Sequence, residues 1–124
     1  MKLLLDTQVL VWWWSDKNRL TSDARRAIAM SEVVLVSAAS AWEAAIKQAL
    51  GTLRLPAPFS TMVAASHFSE LAVTCRHAER LAELPPHHRD PFDRMLIAQA
   101  QAEGATLVTH DRRVQPYDVS VVWV

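Results

Sequence analysis

The sequence predicts an α/β fold: a three-layer α/β/α sandwich with a mainly parallel central sheet. Three observations carry this prediction. Short runs rich in leucine and valine alternate along the chain with longer segments of helical pattern. Only 2 of the 124 residues are glycine and 51% are hydrophobic, which is typical of an ordered chain with a substantial core. Strands joined by helical crossovers pair in parallel, and the helices then cover the sheet.

The first half of the chain contains two predicted strands, Leu3 to Leu5 and Val33 to Val36, because each is a short apolar run. Thr21 is typical of a helix N-cap, and Gly51 of the residue that ends a helix. The helices predicted here cover residues 8–14, 21–30, 37–50 and 59–67.

The second half contains a long amphipathic helix, which Pro91 opens and Gly104 terminates. A shorter helix precedes it and stops at Pro85-Pro86. The elements predicted here are strands at residues 71–73, 105–108 and 119–124 and helices at residues 75–84 and 91–103. Neither a repeat nor a linker divides the chain, so residues 1–124 are predicted to form a single domain.

The charge balance restricts the class of function. The 13 basic and 13 acidic side chains cancel, which argues against binding to polyanions by charge density alone but is compatible with a local basic patch. Cys75 is the only cysteine, so the chain cannot form an intrachain disulfide or a thiolate metal cluster, and we expect a cytoplasmic protein. Asp6 interrupts the opening leucines, and neither a secretory signal nor a membrane span fits.

Four carboxylates lie where parallel strands end or helices begin. Asp6 and Asp111 follow strands, Glu43 lies about two turns into a helix, and Asp93 lies in the first turn of the long helix. Ligands bind at the carboxyl edge of such sheets, and clustered carboxylates repel one another unless cations offset them. Mg²⁺ and Mn²⁺ prefer oxygen ligands and assist phosphodiester hydrolysis by an activated water. The pattern therefore predicts a metal-dependent nuclease site.

Each acid also has a structural interpretation. Asp6 is placed to cap the helix that follows it, and Ser40 to Glu43 match a capping box. For Asp90 we prefer an N-cap role, with Asp93 complementing the helix dipole. Asp111 is placed to start a turn before two arginines.

Three further features have open interpretations. Trp12 to Trp14 would point about 100° apart on a helix, so we expect at least one at the surface or at an interface with another protein chain. His87-His88 lacks the partners of a zinc site, and a loop or phosphate-contact role is favoured. Arg94 and Arg112 could contact the phosphates of a nucleic-acid substrate or simply be solvated.

Several segments resemble the PIN-domain family, and within it the VapC-type ribonuclease toxins of type II toxin–antitoxin pairs. The segments are Leu3 to Trp13, Ser40 to Lys47, Asp90 to Ala100 and Leu107 to Asp111. The resemblance implies an Mg²⁺- or Mn²⁺-dependent endoribonuclease with an RNA substrate. It also implies a homodimer inhibited by a cognate antitoxin.

Carried over by position, Asp6, Glu43 and Asp93 resemble the family's metal-binding acids, with Asp111 as the fourth. Thr7 and Thr109 match hydroxyl positions that support the site through hydrogen bonds. Where family members often have histidine, this chain has Gln8.

Two alternative functions remain at this point. A haloacid-dehalogenase-like phosphatase also begins with a strand ending in Asp, but its second Asp is replaced here by Gln8. A PIN-like module that binds RNA or protein without cleaving it is the other.

Overall fold

The computed structural model describes residues 1–124 and contains five strands and six α-helices. In chain order they are β1 (Lys2–Leu5), α1 (Thr7–Ser15), α2 (Ser22–Met30), β2 (Val33–Ser37), α3 (Ala38–Ala49), α4 (Phe59–Ala65), β3 (Ser69–Leu71), α5 (Cys75–Ala82), α6 (Pro91–Glu103), β4 (Thr106–Thr109) and β5 (Val121–Trp123). Short 3₁₀ helices cover Lys17–Arg19 and Arg112–Val114. No helix combines the length and the apolar character needed to cross a bilayer.

All five strands are parallel, in the order β3-β2-β1-β4-β5, which confirms the predicted α/β class. The central strand β1 is buried on both faces, and Leu3 to Leu5 are fully inaccessible. Side chains alternate across a strand, so Leu3 and Leu5 join the core beneath α1, α2 and α4, whereas Leu4 joins the core beneath α5 and α6.

The third strand lies earlier than predicted. It covers Ser69–Leu71 instead of residues 71–73, and its side chains are exposed or half-buried. It is an edge strand whose position is set by pairing with β2, where Ser37 lies opposite Leu71. Pairing, rather than apolar character, therefore defines this strand. The other predicted boundaries differ from the structure by no more than two residues.

The connections bring the candidate site residues to one edge of the sheet. β1 ends directly before Asp6, and β4 ends shortly before Asp111. α6 finishes at Gly104, whose left-handed backbone (φ 63°) turns the chain into β4. Because α6 ends where β4 begins, its first turn lies at the opposite edge, beside the strand ends that carry the acids.

Candidate metal centre

The four predicted carboxylates line one cleft at the carboxyl edge of the sheet. Asp6, Glu43, Asp93 and Asp111 border a space of about 400 Å³ that has no hydrophobic lining residue. The other lining residues are Thr7, Gln8, Lys47, Asp90, His110, Arg112 and Arg113. Residues from opposite ends of the sequence thus meet in a single polar site, the acidic cleft.

Asp6 is held in place by three neighbours. Its amide donates to the carbonyl of Val108 on the adjacent strand (3.0 Å). Its Oδ1 accepts from the amide of Val9 (2.7 Å), which makes Asp6 the N-cap of α1. The hydroxyl of Thr109 donates to Oδ2. The capping and site interpretations of Asp6 therefore hold together, and only 6% of the residue is exposed.

Glu43 is positioned by a helix that begins earlier than the capping-box pattern predicted. The N-cap of α3 is Ser37, whose hydroxyl accepts an amide of the first turn, so the capping-box interpretation of Ser40 and Glu43 is wrong. Ser40 is instead buried inside α3 and accepts a hydrogen bond from the hydroxyl of Thr7 (2.9 Å). This bond ties α1 to α3 and places Glu43 at the acidic cleft, where Lys47 lies 3.5 Å from its carboxylate.

Asp93 reaches the acidic cleft through the start of α6. Asp90 caps this helix by accepting the amides of Phe92 (2.8 Å) and Asp93 (3.2 Å), with Pro91 at the first helical position, as the sequence indicated. The cap fixes the first turn rigidly. Asp90 also lines the acidic cleft and adds its negative charge to the cluster.

His88 is a site residue that the sequence analysis missed, having placed it in a loop or phosphate-contact role. Its side chain is fully buried, and its Nδ1 accepts the backbone amide of Asp90 (3.1 Å). In the neutral ring the proton therefore lies on Nε2. That atom is 2.7 Å from Asp111 Oδ2 and 3.3 Å from Asp93 Oδ2.

These three side chains are close enough to hold a metal ion together. A protonated Nε2, however, has no lone pair to offer, so the imidazole links the two carboxylates as a donor. The only local signal for His88 was its position two residues before the N-cap Asp90.

Both oxygens of Asp111 are already engaged. Arg113 donates to Oδ1 and to Oδ2 through its guanidinium (3.0 Å each), and His88 donates to Oδ2. Burial acts to raise the pKa of Asp111, but the hydrogen bonds from Arg113 and His88 outweigh it and lower the pKa to about 2. Asp111 also caps the 3₁₀ helix Arg112–Val114, which agrees with its turn interpretation.

The pKa values of Asp6 and Asp93 are shifted in the opposite direction, upwards. Burial raises the pKa of Asp6 despite the hydrogen bonds from Thr109 and Val9. Burial also raises the pKa of Asp93 to about 7, helped by repulsion from Asp90 and Asp6. At these two carboxylates, burial and repulsion therefore outweigh the cationic side chains that line the cleft.

The donor set fits a hard divalent ion. The carboxylates of Asp6, Glu43 and Asp93 offer only oxygen, and His88 has no free nitrogen for a softer metal. Oxygen-only ligand sets favour Mg²⁺ or Mn²⁺ over Zn²⁺.

Arg94 and Arg112, for which phosphate contact and simple solvation were both open, differ in their surroundings. The guanidinium of Arg94 donates to four backbone carbonyls and to the hydroxyl of Tyr117, so it has a structural role that neither interpretation included. The carbonyls belong to Leu81, Leu84, Pro85 and His88. Arg112 does line the acidic cleft, and its guanidinium lies 4.3 Å from the ring centre of Trp123.

The tryptophan triplet is half-buried throughout, so none of the three is exposed, and a contact of one of them with another protein chain stays a prediction. Each indole packs against a ring from a different segment: Trp12 on His110, Trp13 on Phe68 and Trp14 on Phe59. These segments surround α1 on more than one side, which accommodates three indoles that point in different directions.

Comparisons with known proteins agree with this architecture. The PIN domain model matches residues 3–119. A relative named Ribonuclease VapC22, from Mycobacterium tuberculosis, is 31% identical over 118 residues, which span 93% of this chain and 91% of the relative.

Two solved structures share the fold at lower identity. VapBC2 from Rickettsia felis, bound to a promoter DNA fragment, has a TM-score of 0.73 and 14% identity, covering 98% of each chain. A toxin–antitoxin complex from Klebsiella pneumoniae has a TM-score of 0.68 and 21% identity, covering 98% of this chain and 96% of the other.

Proposed function

Because the chain belongs to the PIN-domain family, we propose that it is a metal-dependent endoribonuclease, the toxin of a toxin–antitoxin pair. One observation carries the proposal. Asp6, Glu43 and Asp93 line a cleft without hydrophobic residues, in which burial and repulsion raise the pKa of Asp6 and of Asp93. The relative named Ribonuclease VapC22 supports RNA as the substrate. Family membership also sets the phosphatase alternative aside.

Asp6, Glu43 and Asp93 would hold Mg²⁺ or Mn²⁺. Such an ion, when bound, lowers the pKa of water and offsets the charge that develops on phosphodiester oxygens. The protein's own part is to fix the carboxylates: Thr109 orients Asp6, and His88 orients Asp93. No side chain is required as a covalent nucleophile.

We assign Asp111 a positioning role, which differs from the metal-ligand role expected from the sequence. With both oxygens hydrogen-bonded, it is a fixed anion that holds Arg113 and His88 in place. Through His88 it also restrains Asp93. Its loss would therefore disturb the metal ligands indirectly.

A cationic rim is placed to receive the RNA backbone. Lys47, Arg112 and Arg113 all line the acidic cleft, in a chain whose formal net charge is zero. The stacking of Arg112 on Trp123 leaves the edge of its guanidinium free to donate to a phosphate. RNA contact would therefore be local to this rim.

The deciding experiment measures cleavage of single-stranded RNA in Mg²⁺ or Mn²⁺. We expect EDTA to abolish cleavage, and Asp6→Asn or Asp93→Asn to lower it by more than about 100-fold, since loss of outer-sphere partners alone costs roughly 10- to 100-fold. Asp6→Asn keeps a side-chain oxygen that can still cap α1. The matched control is Asp118→Asn, which changes an exposed carboxylate outside the acidic cleft.

Undiminished cleavage by both site variants would overturn the metal-site mechanism. Binding of RNA without any cleavage by the natural sequence would favour the non-cleaving module instead.

The proposal includes two protein partners, a second copy of the chain and a cognate antitoxin. An apolar groove lies next to the acidic cleft, and 7 of its 8 lining residues are hydrophobic. It contains Trp42, which is 65% exposed and packs edge-on against Phe92; these residues adjoin Glu43 and Asp93 in sequence. Large exposed aromatic side chains are typical of protein interfaces.

Light scattering tests the homodimer. We expect the natural sequence to have the mass of a dimer and Trp42→Glu that of a monomer. A monomeric natural sequence at micromolar concentration would contradict the dimer while leaving the nuclease proposal intact.

A further inference from the structure

His110 is the only residue with an aromatic ring that lines the acidic cleft. It follows β4 directly and is exposed, although it lies between the buried Thr109 and the half-buried Asp111. The residues around it in the acidic cleft are carboxylates, arginines and small polar groups, none of which offers an aromatic surface. An unpaired nucleobase that enters the cleft would thus meet one aromatic surface.

The ring of His110 is held in a fixed orientation. Its centre lies 5.5 Å from that of Trp12, with an angle of 73° between the planes. Its Nδ1 lies 2.8 Å from the main-chain oxygen of Val124. A main-chain oxygen only accepts, so Nδ1 carries the proton and Nε2 is an acceptor in the neutral ring. An edge-to-face contact covers at most one face of the imidazole, which leaves the other face free.

A cation lies near His110 in the acidic cleft. Arg112, two residues after His110, lies over Trp123 and also lines the acidic cleft. A flat ring next to a phosphate-binding arginine is the pairing that recognises a nucleotide in an unpaired strand.

We propose that His110 is a base-stacking subsite, at which an unpaired nucleobase next to the cleaved phosphodiester packs on the free face of the imidazole. The neighbouring phosphate lies at Arg112. This inference rests on the proposed ribonuclease function. Bases within a duplex are already stacked on one another, so the subsite selects single-stranded RNA.

The test measures RNA affinity in the Asp93→Asn background, in which the RNA stays intact. The probe is a fluorescein-labelled single-stranded RNA that the natural sequence cuts, with one abasic position moved stepwise past the cleavage point. We expect His110→Ala to weaken binding by roughly 5- to 100-fold, the usual range for one stacked base. His110→Phe, which retains an aromatic face, should bind within about 3-fold of the parent.

The decisive result is a double-variant cycle. Removing the base at one position should weaken binding to the parent protein as much as His110→Ala weakens binding to the intact RNA. Removing the same base should not weaken binding to His110→Ala any further. The matched control is His87→Ala: His87 is also exposed and packs edge-to-face on Tyr117 (5.2 Å, 73°), but it lies outside the acidic cleft.

Two outcomes overturn the subsite. In the first, His110→Ala binds RNA as tightly as the parent protein. In the second, removing a base weakens RNA binding equally in the parent and in His110→Ala at every position. In both cases cleavage by the natural sequence would still stand. Failure of the natural sequence to bind or cut any RNA would instead remove the proposed function and the subsite together.

Discussion

Removing divalent cations and raising the pH from about 5 to about 8 should destabilise the protein through Asp93. Burial and the neighbouring carboxylates raise the folded-state pKa of Asp93 from its ordinary 3.8 to about 7. Folding therefore favours the protonated form. The stabilisation is complete below about pH 4 and is lost as the pH rises through about 7.

The size of this effect follows from the pKa of Asp93. A rise from 3.8 to about 7 corresponds to an upper limit of about 4 kcal/mol in the free energy of unfolding between pH 4 and pH 7, of which about 3 kcal/mol falls above pH 5. The side chain of Asp93 is 25% exposed, and solvent screening reduces the effect between pH 5 and pH 8 to about 1.5 kcal/mol. For a domain of this size we expect Tm to fall by roughly 4 to 8 °C. Asp6 acts in the same direction, since burial raises its pKa as well.

The assay is thermal unfolding in EDTA and in Mg²⁺ at both pH values. In EDTA, Asp93→Asn should remove most of the dependence on pH and be more stable than the natural sequence at the higher pH. Mg²⁺ should raise Tm of the natural sequence there, because binding to the folded state stabilises it, and should have little effect on Asp93→Asn. Asp118→Asn, which alters an exposed carboxylate, should follow the natural sequence in every condition.

A flat or rising Tm between the two pH values in EDTA, shared by the natural sequence and Asp93→Asn, would refute the reasoning. It would mean that the carboxylates of the acidic cleft do not destabilise one another in the folded state.

Three substitutions test other parts of the structure. His88→Leu should lower the free energy of unfolding by about 2 to 3 kcal/mol, since it removes the hydrogen bonds of the buried ring to Asp111 and to the amide of Asp90; an unchanged urea midpoint would contradict this. Arg94→Lys should lower it by about 2 kcal/mol, because an ammonium cannot reach the same set of carbonyls, whereas Arg89→Lys on the surface should be neutral by the same assay. Gly104→Ala should lower it by about 1 kcal/mol in urea unfolding, because the left-handed backbone rather than space limits this position, and no atom lies within 4 Å of the added carbon.

The features that sequence could predict are those encoded locally. Asp90 and Pro91 define a helix start by themselves, and the alternation of apolar runs defines the strands. The acids could be placed because parallel strands bring the residues that follow them to one edge of a sheet. Asp6 and Asp111 satisfy that rule directly.

The features that the sequence could not predict depend on contacts between distant segments. His88 becomes a site residue only because the chain brings Asp111 to its Nε2, 23 positions away. The structural role of Arg94 depends on the path of the preceding loop, whose carbonyls it binds. Ser40 matches a capping box, yet Ser37 caps the helix first because β2 leads straight into α3. In each case the local pattern was compatible with two structures, and tertiary packing selected one.

The bond between Thr109 and Asp6 joins residues 103 positions apart. A chain synthesised from its amino terminus can pair β1 with β2 early, but β4 can take its place beside β1 only after residue 109 has been added. Asp6 acquires its orienting hydroxyl, and His88 its partner Asp111, at that late stage. A chain that stops before β4 therefore lacks the assembled cleft, and neither its Asp6 nor its His88 has yet acquired the neighbour that holds it in place.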